Sequence, residues 1–205
     1  LLISLTVGLS FGVHILSLLV IPAIVLLYLY KHYDLSSPRN FIIANGIAIA
    51  ILALIFKVLF PFTLKFFSVS ELFFVNTIGL PFNSGSIIAM LVIVALFSFG
   101  LKKTREKNLP KANTAILATL FIVIGFSSWM MLPIRSNADT TINENNPSSA
   151  RELLAYYNRE QYGDANVFYD TYYSVAYDRK QDVKNPYRDD KPKYEKDEKL
   201  GKYII

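Results

Sequence analysis

An α-helical polytopic membrane protein, with about four to five transmembrane helices and then the start of a small α+β extracytoplasmic domain, is the fold class this sequence predicts. Three observations carry it. Apolar runs within residues 1–132 reach the ~20 residues that a bilayer-crossing helix needs. That stretch holds three acidic residues (Asp34, Glu71, Glu106) against nine basic ones. Residues 133–205 hold the other thirteen acids and twelve bases, with ten of the thirteen tyrosines. The chain therefore divides at Pro133 into a membrane region and a truncated water-exposed region.

The net charge of +5 arises in the first region, in short loops between apolar spans. There it sets orientation, and nucleic acid is not an expected partner. The absence of cysteine excludes disulfides, thiolate metal sites and cysteine nucleophiles, and two separated histidines do not make a zinc centre. Neither a metal nor a bound cofactor is visible, and no phosphate-binding Gly-x-x-x-x-Gly-Lys-Ser/Thr loop occurs. The chain opens with Leu1-Leu2-Ile3 inside an apolar run and stops at Tyr203-Ile204-Ile205, which reads as an unfinished strand. An internal fragment is expected.

The first apolar stretch, residues 1–30, exceeds one ordinary span and contains Gly8, Gly12, His14 and Pro22. It predicts a helix near 1–12, a tight re-entry, and a second helix near 14–30, because paired glycines allow close backbone approach and His14 needs a polar partner. A polar loop from Lys31 to Arg39 follows, with Pro38 suited to helix initiation. The next span is expected near 41–62, interrupted by Asn45 and a snorkelling Lys57 and ended by Pro61. Residues 62–84, rich in Phe but carrying Lys65 and Glu71, read as a mixed loop along the interface. Spans near 85–101 and 112–132 complete the set, the last bearing Trp129 at aromatic-belt depth.

The loop from Lys102 to Lys111 carries five basic residues and marks the cytoplasmic side. Counting back two spans places the basic loop Lys31 to Arg39 on the same side, so the two loops agree. Residues 62–84 and the tail then fall outside.

Leu132-Pro133-Ile134-Arg135 leaves the membrane, and Asn143-Glu144-Asn145-Asn146-Pro147-Ser148-Ser149 is a dense turn and cap signal. A helix through Leu153, Leu154 and Tyr157 should follow, ending near Gly163. Its N-cap is Asn146 with Pro147 at the first position, or Ser149 with Glu152 as a capping box. Short strands are expected over 165–169 and 172–177. A charged loop or edge hairpin over 180–199 leads to Lys202-Tyr203-Ile204-Ile205.

The strings Leu132-Pro133-Ile134-Arg135-Ser136-Asn137-Ala138, Ile142-Asn143-Glu144-Asn145-Asn146-Pro147 and Tyr157-Asn158-Arg159-Glu160-Gln161-Tyr162-Gly163-Asp164 resemble a family of bacterial inner-membrane proteins. It is the protein O-mannosyltransferase-like family, domain-of-unknown-function family 2723, within the multi-spanning C-type glycosyltransferases. Gly8-x-x-x-Gly12-x-His14 with Pro22 is similar to the helix break of that superfamily. The resemblance implies transfer of a mannose-like sugar from a polyprenyl-phosphate donor to a protein or envelope acceptor on the outer face, in a multi-pass protein of the bacterial inner membrane with residues 133–205 periplasmic. Membrane lipid, the lipid-linked sugar and a protein or glycan acceptor are the implied partners. It also implies an acidic catalytic residue in a first outer loop. Asp34 and Glu106 lie on the other side and Glu71 in a later loop, so no catalytic residue is assigned.

The candidate sites rest on residue chemistry. Arg135 offers planar bidentate donors for a lipid phosphate, with a juxtamembrane charge as the plain alternative. Asn143, Glu144 and Asn145 supply donors and acceptors for sugar hydroxyls, and capping explains them nearly as well. Glu160, Gln161, Tyr162 and Asp164 close the predicted helix, facing a cleft or simply solvent. Tyr172 and Tyr173 offer stacking surfaces for sugar rings or strand packing. His14, Asn45 and Lys57 are intramembrane polar groups, functional by default because lipid burial is costly, though His14 also suits a structural hydrogen bond. If these three line a path, the chain is instead a lipid or glycan transporter. A tyrosine-rich tail that only docks partners would make it a non-enzymatic envelope scaffold.

Overall fold

The computed structural model describes residues 1–138, 140–143, 145–160 and 194–204. These residues are mostly helical, with a two-stranded sheet near the C-terminal end. Four helical runs are long and apolar enough to span a membrane: Ile15–His32, Pro38–Ile78, Ser84–Glu106 and Pro110–Ser136. Their outward faces carry Leu27, Ile42, Leu91, Leu96 and Phe99, all exposed. Such faces suit lipid contact, since water would penalise so much apolar surface.

Helix α1 (Leu2–Val13) stops at His14, whose backbone is extended (φ −157°, ψ 126°). A 3₁₀ turn (Ile15–Leu19) then feeds α2 (Val20–His32), so the break expected in this apolar stretch is present. Helix α1 packs on α6 (Pro110–Phe126). The glycines explain how closely. A Cβ at Gly8 would strike the Ile122 carbonyl and Gly125, and one at Gly125 would strike the backbone of Leu5 and Leu9. Gly12 faces Ser128, so residue numbers rise together along both helices and the two run parallel.

Pro38 begins α3 (Pro38–Ala53) at its first turn, as the sequence suggests. The run does not end at Pro61. It passes through a π-wound turn (Leu54–Leu59), continues as α4 (Phe60–Leu72), and closes with a second π-wound turn (Phe73–Ile78). A proline ring clashes with the carbonyl four residues back, here that of Lys57, and supplies no N–H. The wider π turn relieves that clash, with the Phe60 N–H reaching back five residues to the Ile55 carbonyl. The interfacial loop expected over 62–84 is therefore helix as far as Ile78, and Gly79 in the left-handed region (φ 82°) ends it.

This continuous run of 41 residues measures about 60 Å at 1.5 Å per residue, twice the ~30 Å hydrocarbon thickness. The polar positions in its second half are met by packing, Glu71 by the Ser86 N–H and Asn76 by the Tyr203 backbone, so the mixed composition of residues 62–78 is compatible with helix.

Helix α5 (Ser84–Glu106) returns across the membrane beside α4 and packs on α6. After a 3₁₀ turn (Ser127–Met130), α7 (Met131–Ser136) carries the last run three residues past Pro133, the expected exit point. The proline sits in the first turn of α7, directly after the 3₁₀ turn.

In the tail, α8 (Ala150–Tyr157) starts at Ser149 with both halves of a capping box: the Ser149 hydroxyl accepts from the Glu152 N–H, and the Glu152 carboxylate accepts from the Ser149 N–H. Asn146, at φ 36°, lacks the extended backbone of an N-cap. The helix ends at Tyr157 rather than near Gly163, because Arg159 turns left-handed (φ 57°). Strands β1 (Glu195–Asp197) and β2 (Lys202–Ile204) pair antiparallel, Lys196 opposite Tyr203, around Gly201 at φ 62°. The strands expected over 165–169 and 172–177 lie outside the described residues.

The core sits where the tail meets the membrane helices. Phe11, Phe60 and Phe126 are buried, with ring centroids 4.7 Å apart for Phe11 and Phe60 and 4.2 Å for Phe60 and Phe126. Trp129, expected at the aromatic belt, packs 4.8 Å from Phe11 and 5.6 Å from Tyr157. Leu153 and Leu154 close the cluster from α8, each contributing about 1.5–3 kcal/mol by burial.

Candidate functional site

Among the described residues, hydrogen bonds fasten the tail to the long helix at both π-wound turns and at a residue between them. At the first, the Tyr157 hydroxyl donates to the Phe56 carbonyl at 2.7 Å. That carbonyl lacks a helical partner. The Phe60 N–H is given to Ile55, and the next residue, Pro61, has no N–H. Tyr157 thus satisfies a group that would otherwise be left orphaned. Burial pushes its hydroxyl up to about 12.

At the second turn, Asn76 pairs with the Tyr203 backbone in both directions, amide to carbonyl and N–H to Oδ1, each 2.8 Å. The side chain acts as one residue of a third strand beside β2. Phe82 packs edge-on to the Tyr203 ring at 5.2 Å, and Lys196 lies 4.7 Å over the Phe82 ring.

Between these contacts sits Glu71, a carboxylate only 2% exposed. It accepts from the Asn83 N–H, from the Ser86 N–H at 2.8 Å and hydroxyl at 3.0 Å, and from the Tyr203 hydroxyl at 3.3 Å. Glu71 therefore caps the start of α5, where backbone N–H groups and the helix dipole favour negative charge. Gly85 permits this, because a Cβ there would strike the backbone of Ser70 and Glu71. Burial, reinforced by Glu71, raises the Tyr203 hydroxyl well above the phenol range.

The sequence-derived candidates fall elsewhere. Arg135 is exposed in the last turn of α7 and makes no ion pair among the described residues. Asn143 braces the chain leaving α7, accepting from the Ser136 hydroxyl and donating to Asn146 Oδ1, both at 2.8 Å. Asn145 is exposed in a left-handed turn (φ 60°). Glu160 sits 3.7 Å from Arg151 and accepts from Asn158. Glu144, Gln161, Tyr162, Asp164, Tyr172 and Tyr173 lie outside the described residues.

The polar groups expected in the spans meet near neighbours in the chain. His14 Nδ1 accepts from the Leu16 N–H, Asn45 donates to the Phe41 carbonyl, and the Lys57 ammonium lies 5.1 Å over the Phe56 ring. Among the described residues no hydrogen bond or ion pair joins any two of these three. A cleft of about 480 Å³ opens between α1 and α2, lined by Leu2, Ile3, Val7, Val20 and Ile24. The hydroxyls at its wall, Thr6, Ser10 and Ser17, are turned to backbone carbonyls, which leaves the cleft surface apolar.

Residues 1–37 match the family model described as Protein O-mannosyl-transferase TMEM260 N-terminal domain. The likeness is to O-mannosyltransferases. It covers α1, the break at His14, α2 and the loop to Ser37, and so includes Gly8, Gly12, His14 and Pro22. No curated protein and no solved structure matches the chain.

Sequence reading missed Glu71, Asn76, Tyr157 and Tyr203 as the residues that join tail to membrane region. The one available signal was Pro61 inside an apolar run, which demands either a helix end or an irregular turn. The partners, 101 and 127 residues away in sequence, left no local trace.

Proposed function

We propose that this chain is part of a membrane glycosyltransferase that moves a mannose-like sugar from a polyprenyl-phosphate donor to a protein or envelope acceptor on the outer face. The observation that carries the reading is the match of residues 1–37 to a protein O-mannosyl-transferase N-terminal domain. Four membrane-length helices, as a lipid-linked donor requires, support it. In this reading the chain is a member of the domain-of-unknown-function family 2723 within the C-type superfamily, lies in the bacterial inner membrane, and has its tail in the periplasm.

The roles follow from chemistry. The apolar cleft between α1 and α2 offers a track for prenyl carbons. Arg135, exposed at the end of the last span, offers paired donors to a phosphate. Glu71 is fully engaged in capping α5 and holding Tyr203, so the catalytic carboxylate belongs to residues other than those of this chain's membrane region. His14, Asn45 and Lys57 make no hydrogen bond or ion pair with one another among the described residues, which weighs against a transporter.

Binding of a photoreactive polyprenyl-phosphate mannose to the full-length protein tests the assignment. Labelling that maps to α1 and α2 and falls at least tenfold in Arg135→Ala is expected. Labelling that an unrelated prenyl alcohol competes away equally well would remove the phosphate recognition on which the reading depends.

A further inference from the structure

We propose that the outer tail selects the helical register of the long Pro38–Ile78 run, with the Tyr157 hydroxyl as the pin. The inference concerns conformational control and does not rest on the transfer reaction. The turn at Leu54–Leu59 has two competing arrangements. In the π-wound one, the Phe60 N–H serves Ile55, the Pro61 ring is relieved of its clash, and the Phe56 carbonyl lacks a helical donor. In the α-wound one, the Phe60 N–H returns to Phe56, and the Pro61 ring is forced against the Lys57 carbonyl. Tyr157 supplies the missing donor to Phe56 at 2.7 Å, which favours the π-wound form.

The consequence extends along the helix. A π turn holds one residue more than an α turn, so closing it would rotate everything beyond Phe60 by about 100° and shift it by about 1.5 Å. Glu71 would then leave the Ser86 and Asn83 N–H groups at the start of α5, and Asn76 would leave the Tyr203 backbone. These contacts, at 2.8 Å for Ser86 and 2.8 Å for Asn76, exist only in the register that Tyr157 favours. The tail thereby grips the helix at the turn and again beyond it, and the grip at Phe56 sets the face presented to Tyr203. Docking or release of α8 converts into rotation of the helix beyond Phe60.

The chain holds no cysteine, so spin labels can be placed across the turn, at Ile49 and Val69, both exposed. The experiment uses full-length protein in lipid nanodiscs, with any cysteine elsewhere replaced. The parent should show one label distance. Pro61→Ala combined with Tyr157→Phe, which removes both the clash and the pin, should shift it to a second distance that defines the α-wound state. Tyr157→Phe, which keeps the ring and loses the hydroxyl, should add that second distance to the first. A Tyr157→Phe distribution identical to the parent's would overturn the proposal, and so would a double-variant distribution that does not move.

Discussion

The hydroxyl of Tyr157 completes the hydrogen bonding of Phe56, 101 residues away, where Pro61 has no N–H to offer. A tail side chain thus completes the backbone of a membrane helix, and this relationship governs how the two regions depend on each other.

Tyr157→Phe should destabilise the protein by about 1 kcal/mol, the cost of losing a part-buried hydrogen bond. Its ring contacts with Phe11 and Trp129 would remain. Tyr156→Phe, whose ring meets Trp129 at 6.0 Å, should stay within about 0.5 kcal/mol of the parent, as a change that removes no buried bond does. Thermal unfolding in one detergent would compare the two.

Alkaline stability follows from the same hydroxyl. Its folded value of about 12 stands above the ordinary 10.0, so the folded state holds its proton where the unfolded state has lost it. The stabilisation is complete below pH 10 and disappears as pH rises from 10 through about 12. Tyr203, raised by burial and by Glu71, adds to the same trend. Unfolding temperatures measured above pH 10 should fall, and less steeply in Tyr157→Phe.

Gly8→Leu should separate α1 from α6, since its side chain would begin within the Ile122 and Gly125 backbone. Overpacking of this kind costs about 1–3 kcal/mol or more. Gly46→Ala meets nothing within 4 Å and should be neutral or stabilising by up to about 1 kcal/mol. Yield of monodisperse protein after solubilisation would rank them.

Glu71→Leu should open the start of α5, seen as faster amide exchange at Asn83 and Ser86. Glu71→Gln retains one acceptor oxygen and should protect one of these amides. Equal protection in both variants would show that the carboxylate caps nothing.

Much of this architecture was legible because lipid imposes simple rules. Apolar length located most of the spans, Gly8, Gly12 and His14 marked the break, and Ser149 with Glu152 was one of two starts the sequence offered for α8, Asn146 with Pro147 being the other. The long helix was misread at Pro61, because a rule about proline presumes an α turn and a π turn relaxes it. Residues 62–78 looked like a loop because Lys65, Glu71 and Asn76 interrupt the apolar pattern, yet Glu71 and Asn76 are met by Ser86 and Tyr203 without breaking the helix. The site was harder still. Polar residues in the spans attracted suspicion for the cost of burying them, yet each found a neighbour within a few residues. The contacts that matter join Phe56 and Asn76 to residues more than a hundred positions away, and nothing in the local pattern encodes such pairing.

Sugar transfer is tested most directly by supplying purified full-length protein, reconstituted in liposomes, with radiolabelled polyprenyl-phosphate mannose and an envelope protein extract. Label should appear in the protein fraction above background, reduced at least tenfold by Arg135→Ala. Liposomes that bind the donor and leave every label on the lipid would contradict it.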